Sequence, residues 1–375
     1  MKNQCLVIAG EKSGEEHFLS MWPELKHIQF WGVGGDDMQS KGIELLYHLK
    51  DFGSVGFSEV IGKLKFYKDA MNNILAEVEK RECKTALLVD FQGFNLRLAE
   101  KLTKRGVRVL YYVAPQAWIW KEQRVHKLKN FVHSLYTILP FEKKWFEERG
   151  VKQICPAPHP VFVESKNDLF SRSPLKSTPS QWKILLLPGS RKTEIRALLP
   201  TFICACELLR KNGFNIEVTV LKSASVDQSE FAACEEFIDR MVDNTHLNEE
   251  IKKAHFAMAS SGTVTLSTGL LQLPTVVAYA SSLFSEIVFR SVVRYNGAFS
   301  LTNILLKKFV YPELLQGKLN SNQLYIIIKR YLTDLNAYNQ VINDLDALKE
   351  ILDVSDLNVG LDIKNKIESC YEISG

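Results

Sequence analysis

The sequence predicts an α/β protein of two doubly wound, Rossmann-like domains facing a cleft, with a helical tail at the C-terminal end. Three observations predict it. Short apolar runs rich in β-branched residues alternate with longer amphipathic stretches, in two successive series. A polar interval without hydrophobic period separates the series. The most unusual residue clusters fall just after predicted strands, where open parallel sheets bind their ligands.

In the first series the expected strands are Gln4–Ala9, Ile28–Val33, Ala86–Asp90, Val107–Val113 and Ser134–Leu139. Helical spacing appears over Ser58–Arg81, Phe94–Lys104 and Glu142–Arg149. The second series runs through Trp182–Leu187, Asn215–Leu221, His255–Ala259 and Thr275–Ala278, again with helical intervals. Between them Ser165–Ser180 (SKNDLFSRSPLKSTPS) reads as a linker, being polar and carrying prolines and serines. From about Asn320 the runs LYIIIKRYL and VINDLDALKEIL have helical spacing and form the tail. The expected domains are therefore residues 1–165, 166–340 and a set of helices over 341–375 that returns to the first domain.

A chain of 375 residues with 46% hydrophobic and 24% charged residues suits two ordinary globular domains. No apolar run approaches the roughly 18 residues of a spanning helix. The N-terminal MKNQCLVIAGEKSGEE reads as a first strand rather than a secretion signal, which predicts a cytoplasmic protein. The seven cysteines include no C-x-x-C pair and do not suggest a disulfide framework. Cys204 and Cys206 project in different directions on a helix and lack a second ligand cluster, so no metal site is expected. A net charge of +4 and a pI near 8.5 suit an anionic substrate or membrane surface and give no basis for nucleic-acid binding.

The chemistry-bearing clusters follow in chain order. Gly10-Glu11-Lys12-Ser13-Gly14-Glu15 opens the first strand-to-helix turn; it permits close backbone approach to a ligand, or its acids simply complement the helix dipole. Asp90 ends a buried strand, where desolvation would raise its pKa and suit it as a base; capping of the next helix is the alternative. Tyr111-Tyr112-Val113-Ala114-Pro115-Gln116-Ala117-Trp118-Ile119-Trp120 places four aromatics in a short span, offering flat faces to sugars or acyl chains. Arg124 and Lys127, three apart on one helical face, suit a phosphate or a solvated basic surface. In the second series Gly189-Ser190-Arg191 and Ser261-Gly262-Thr263 are hydroxyl-bearing turns at strand ends, which together favour a nucleotide diphosphate over two simple helix caps.

These clusters, in this order, resemble the lipid-A-disaccharide synthases, inverting glycosyltransferases of the GT-B architecture. The shared segments are AGEKSGEE, WGVGGDDMQSKG, SVGFSEVIGKLK, VDFQGFN, YYVAPQAWIW, LPFEKKWF, HPVF, LLPGSRKTEI, ASSGTVTL, LTNILL and PELLQ, spanning about residues 9 to 317. The resemblance implies that UDP-2,3-diacylglucosamine donates its sugar to the 6-hydroxyl of 2,3-diacylglucosamine 1-phosphate, giving a β(1→6) disaccharide phosphate and UDP without metal or other cofactor. By position Asp90 matches the family's candidate base and Arg191 its essential arginine. Gly189, Ser190, Arg191, Ser261, Gly262, Thr263, Asn303, Glu313 and Gln316 fall in its UDP-site segments, which makes 166–340 the UDP-sugar domain. The first domain then binds the lipid acceptor, with Glu11, Ser13, Gly14, Trp118, Trp120, Arg124 and Lys127 as its expected contacts. Gly93 and Ser267 stand where the family usually has acidic residues.

A diacylated acceptor sits in a bilayer, which implies peripheral contact with the inner face of the bacterial inner membrane. Phe57, Ile61, Lys63, Leu64, Lys65 and Phe66, which mix apolar and basic side chains, are the expected membrane contact; a core-facing helix start is the alternative. Oligomerisation is compatible with all of this. The competing functions are another UDP-sugar enzyme of the same architecture, such as a UDP-N-acetylglucosamine 2-epimerase, and a non-catalytic lipid or nucleotide binder.

Overall fold

A computed structural model describes residues 3–52, 60–119, 121–223, 226–279, 297–353 and 355–372, and for 60–63 and 316 the backbone alone. The chain divides into two units: Met1–Pro160 with Val354–Gly375, and Val161–Asp353.

The first unit is built on a seven-stranded, all-parallel sheet of β1 (Gln4–Ala9), β2 (Gln29–Gly34), β3 (Glu44–His48), β4 (Thr85–Val89), β5 (Arg108–Tyr112), β6 (Ser134–Thr137) and β7 (Ile154–Pro156). Their spatial order is β3-β2-β1-β4-β5-β6-β7. The central strands are apolar on both faces because helices cover both sides. Ile8, Leu88 and Tyr111 share one core face with Ile74 and Leu98 from the helices Val60–Lys80 and Gln92–Thr103. Val7, Val89 and Tyr112 share the other with Phe18, Ile363 and Ile367. The last two belong to the C-terminal helix Val359–Glu372, so this segment is part of the first unit's core. It is also pinned at both ends: Tyr371 donates its phenol hydrogen to the Gln4 carbonyl at 2.7 Å, and Tyr136 donates to Asp362 at 2.6 Å.

The second unit carries a six-stranded parallel sheet of β8 (Trp182–Leu187), β9 (Ile216–Lys222), β10 (Arg240–Asp243), β11 (Phe256–Ser260), β12 (Thr275–Tyr279) and β13 (Glu313–Leu315). Their order is β10-β9-β8-β11-β12-β13. The unit runs on to Asp353, so the helices Leu335–Leu345 and Ala347–Leu352 belong to it, and a boundary at 340/341 falls inside a helix.

The expected linker Ser165–Ser180 also packs as part of this unit. Asp168 pairs with Lys252 at 2.5 Å, and the Leu175 backbone exchanges two hydrogen bonds with the Asn339 amide. Half-buried Arg172 donates to the carbonyls of Ile251 (2.7 Å) and Ala254 (2.8 Å), with a longer contact to Leu271 at 3.4 Å. Those carbonyls close the helices Leu247–Lys253 and Val264–Leu270, whose last C=O groups lack intrahelical partners. A polar stretch is thus held by its polarity.

Candidate functional site

In each sheet the winding reverses once, between β1 and β4 in the first unit and between β8 and β11 in the second. The loops leaving the two strands at such a point diverge and open a crevice at their carboxyl ends. The predicted clusters fall there: Gly10–Gly14 after β1 and Asp90 after β4, Gly189–Arg191 after β8 and Ser261–Thr263 after β11.

At the first crevice Asp90 is half-buried, and burial, then the neighbouring charge of Glu11, pushes its carboxyl up from 3.8 to about 6, against the Phe91 N–H that favours the anion. A carboxylate so tuned is a competent base near neutral pH. The backbone is unusual here. Asp90 and Phe91 both have positive φ, 46° and 43°, and Val113 at the end of β5 has φ 67°. For bulky or β-branched residues that conformation costs on the order of 1–2 kcal/mol each and collects at functional sites. Hydrogen bonds hold the turn. The Asp90 N–H donates to the Tyr112 carbonyl, and the Asp90 carbonyl accepts from the Tyr111 phenol at 2.7 Å and the Asn95 amide at 2.9 Å.

The Phe91 ring lies where a Cβ on Gly10 would stand, 2.5 Å from Cδ1, so only glycine fits after β1. From there a cluster of rings runs outward: Phe91, Phe52, Phe94, Tyr67 and Phe66, with Phe52 5.3 Å from Phe66 and 5.3 Å from Phe94. Phe66, expected at a membrane surface, is therefore a packing residue. Leu64 (57% exposed) and Lys65 on the same helix do point outward. Phe57 and Trp120 lie outside the described residues, as do the side chains of Ile61 and Lys63.

Other expected acceptor contacts serve the fold. Gly14 is buried, and a Cβ added there would meet β1 and β4, 3.5 Å from the Val89 oxygen, while Ser13 is exposed. Trp118 donates its indole N–H to buried Glu142 at 3.1 Å and stacks edge-on against Phe141, so it is a loop anchor rather than an open platform. Burial pushes Glu142 up to about 7, against donation from Trp118 and two backbone N–H groups. Arg124 reaches the Gln92 amide oxygen at 2.5 Å, and Lys127 pairs with Glu100 at 2.7 Å. The two basic residues do share a helical face, and that face is turned to the helix Gln92–Thr103. Glu15, read as a dipole-complementing acid, is buried; it accepts from the Met38 N–H at 2.9 Å and pairs with Lys12 at 2.8 Å.

At the second crevice Gly189 has φ 112° and Arg191 is the extended residue before the 20-residue helix Lys192–Lys211. A Cβ on Gly189 would stand 2.2 Å from Glu194 Oε2. That carboxylate accepts from the Ser190 N–H at 3.2 Å and meets the Arg191 guanidinium at 3.2 Å. The bonds are long and exposed, and the groups making them are those an anion would use. Across the switch point the turn Ser261-Gly262-Thr263 keeps open space around Gly262, and Thr263 makes no side-chain cap.

Asn303 was expected to touch the nucleotide. It is 1% exposed, and its amide is fully committed: it donates to Tyr311 and Glu313 and accepts from the Val310 and Tyr311 N–H groups. Glu313 in turn accepts from the Phe299 and Ser300 N–H groups at 2.8 and 2.9 Å and from the Ser300 hydroxyl at 2.8 Å. The two residues form a scaffold that holds the start of β13 to the helix Leu301–Leu306. The Gln316 side chain lies outside the described residues. Among the described residues no three His, Cys, Asp or Glu side chains gather as a metal site, and no helix is long and apolar enough to cross a membrane.

Comparison with known proteins places the chain in a family and a fold. The lipid-A-disaccharide synthase 1 of Legionella pneumophila is 29% identical over 371 residues, covering 96% of each chain. The lipid-A-disaccharide synthase of Myxococcus xanthus is 32% identical, covering 87% of each. Among solved structures, the glycotransferase of kitacinnamycin superposes with a TM-score of 0.60 at 12% identity, covering 98% of both chains. The UDP-GlcNAc 2-epimerase of Neisseria meningitidis gives 0.56 at 9%, covering 99% of this chain and 100% of the other. At such identities the structural likeness establishes the fold, two parallel-sheet α/β domains, which transferases and epimerases share. The family model for lipid-A-disaccharide synthetase matches residues 5–356, across both units. This chain belongs to the lipid-A-disaccharide synthetase family.

Proposed function

We propose that this chain is a glycosyltransferase that moves diacylglucosamine from UDP-2,3-diacylglucosamine to the 6-hydroxyl of 2,3-diacylglucosamine 1-phosphate. The products are a β(1→6)-linked disaccharide phosphate and UDP. The observation that carries this reading is the family match over residues 5–356, because the fold alone does not separate a transferase from an epimerase.

Asp90 takes the proton from the acceptor hydroxyl as that oxygen attacks the anomeric carbon, and the bond to UDP breaks on the opposite face, inverting the centre. Arg191, the Ser190 N–H and the first N–H groups of the helix Lys192–Lys211 receive the charge that develops on the leaving diphosphate, in place of a metal ion. Glu194, which accepts from the Ser190 N–H and the Arg191 guanidinium, swings aside for the phosphate. Ser261, Gly262 and Thr263 complete the diphosphate turn, and Asn303 and Glu313 hold the wall behind it. The exposed Leu64 and Lys65 supply peripheral contact with an anionic bilayer, where both lipid substrates reside.

The test is UDP release from the diacylated donor with and without the lipid acceptor, followed by mass spectrometry of the product across a panel of acyl chains. Acceptor-dependent UDP and a disaccharide phosphate are expected. Donor conversion without UDP accumulation would mean an epimerase, and UDP binding without turnover would mean a non-catalytic binder.

A further inference from the structure

The Asp90 carbonyl is an unusual acceptor, because two buried side chains from different elements converge on it. Tyr111, on β5, is wholly buried and donates its phenol hydrogen at 2.7 Å. Asn95, in the first turn of the helix Gln92–Thr103, is equally buried and donates at 2.9 Å, with a second hydrogen to the Val89 carbonyl at 3.2 Å. Its Oδ1 has no partner among the described residues, so the amide's whole hydrogen-bonding output goes to the two carbonyls that end β4. A buried acceptor left unmade is unfavourable for stability, which argues that the side chain is retained for where it points. The carbonyl it holds belongs to the first of two successive non-glycine residues with positive φ. The Asp90 N–H is fixed as well, on the Tyr112 carbonyl at 2.9 Å. With both peptide groups of Asp90 anchored, the direction of its Cα–Cβ bond is set, and only side-chain rotation remains to the carboxylate.

We propose that Asn95 and Tyr111 are positioning residues of the transfer reaction, clamping the Asp90 carbonyl so that a strained turn presents the carboxylate to the acceptor hydroxyl. The inference rests on Asp90 being the base. Neither residue touches substrate; each acts through the turn, and a small displacement of a base from its attack geometry lowers the rate steeply. Tyr111 suits the task because its ring is core and only the hydroxyl reaches the loop. Asn95 suits it because its amide alone can serve two consecutive carbonyls.

The experiment is a set of steady-state measurements on the full chain with the variants Tyr111→Phe, Asn95→Ala and Asp90→Asn, and each of the first two combined with the third. Tyr111→Phe keeps the ring and should fold normally, with kcat about tenfold lower and KM for both substrates unchanged. Asn95→Ala should lower kcat about ten- to a hundredfold. In the Asp90→Asn background neither substitution should reduce the residual rate further, because there is no base left to position. Parental kcat in Tyr111→Phe overturns the clamp, and it decides the matter alone if Asn95→Ala does not fold. Equal rate losses with and without Asp90 also overturn it, since they would show an effect independent of the carboxylate. Near-parental turnover of Asp90→Asn itself overturns the assignment of the base, and the clamp with it. A loss in Asp90→Asn beside an unaffected Tyr111→Phe removes the clamp alone.

Discussion

Replacing Asp90 with asparagine should make the protein more stable while it abolishes most of the turnover. The carboxyl is raised from 3.8 to about 6 by burial and by Glu11. A folded-state pKa above the unfolded one means that folding favours the protonated form. The stability this represents is fully present below pH 3.8, is lost as pH rises through about 6, and leaves the ionised group a net burden at neutral pH. At 1.36 kcal/mol for each tenfold in proton affinity, the burden at pH 8 is about 3 kcal/mol, and partial solvent access trims it to about 2–3 kcal/mol. Asparagine keeps the shape and carries no charge. For a unit of this size the gain corresponds to a rise in Tm of roughly 4–12 °C. The same linkage leaves about half of it at pH 5. Thermal melts of the two proteins at pH 8 and pH 5, beside turnover at pH 8, check both numbers. A variant no more stable than its parent at pH 8, or one whose gain is equal at both pH values, would refute the argument that an ionised, desolvated carboxylate is maintained at this turn against stability.

Three further outcomes follow from the same geometry. Glu11→Gln removes the like charge beside Asp90, so the acid limb of the kcat profile should move to lower pH; a limb that stays put would show that burial alone raises the base. Gly189→Ala sets a methyl group 2.2 Å from Glu194 Oε2 on a backbone with φ 112°, and calorimetry should find UDP affinity reduced about tenfold or more; unchanged affinity would take the turn out of the nucleotide site. Arg172→Ala strips the closing carbonyls of two helices of their donor and should cost about 2–4 kcal/mol by denaturant titration, whereas a flexible linker would tolerate it without effect.

Much of this molecule was legible in the sequence because of where each strand lies in its sheet. The nine strands anticipated from residue pattern are interior or nearly so. Buried on both faces, they read as continuous apolar runs such as Thr85–Val89 and Trp182–Leu187. The four overlooked strands, β3, β7, β10 and β13, are the edges of the two sheets. Exposed on one side and three to five residues long, they carry sequences such as RMVD and ICP that no periodicity distinguishes from loop. Composition likewise suggested a linker at Ser165–Ser180, since only a folded partner reveals that Arg172 has two helix ends to close.

The same division runs through the site. Sequence by itself determined the strand-end placement of Asp90, Gly189–Arg191 and Ser261–Thr263, because strand-to-helix turns announce themselves locally through glycine and small hydroxyl residues. What it could not supply is which turns become neighbours, and that follows from strand order. Only the adjacency of β1 and β4 brings Glu11 to bear on Asp90, and only the pairing of β4 with β5 lifts the Tyr111 hydroxyl to the Asp90 carbonyl. Tertiary structure also decided which polar residues are spent internally. Trp118, Arg124 and Lys127 looked like ligand contacts from their chemistry, and Asn303 from the family resemblance, yet each bonds to a partner distant in sequence or held by a tertiary turn. A hydrogen bond requires a donor and an acceptor to be in place together, and the chain's fold, not its local pattern, sets that encounter.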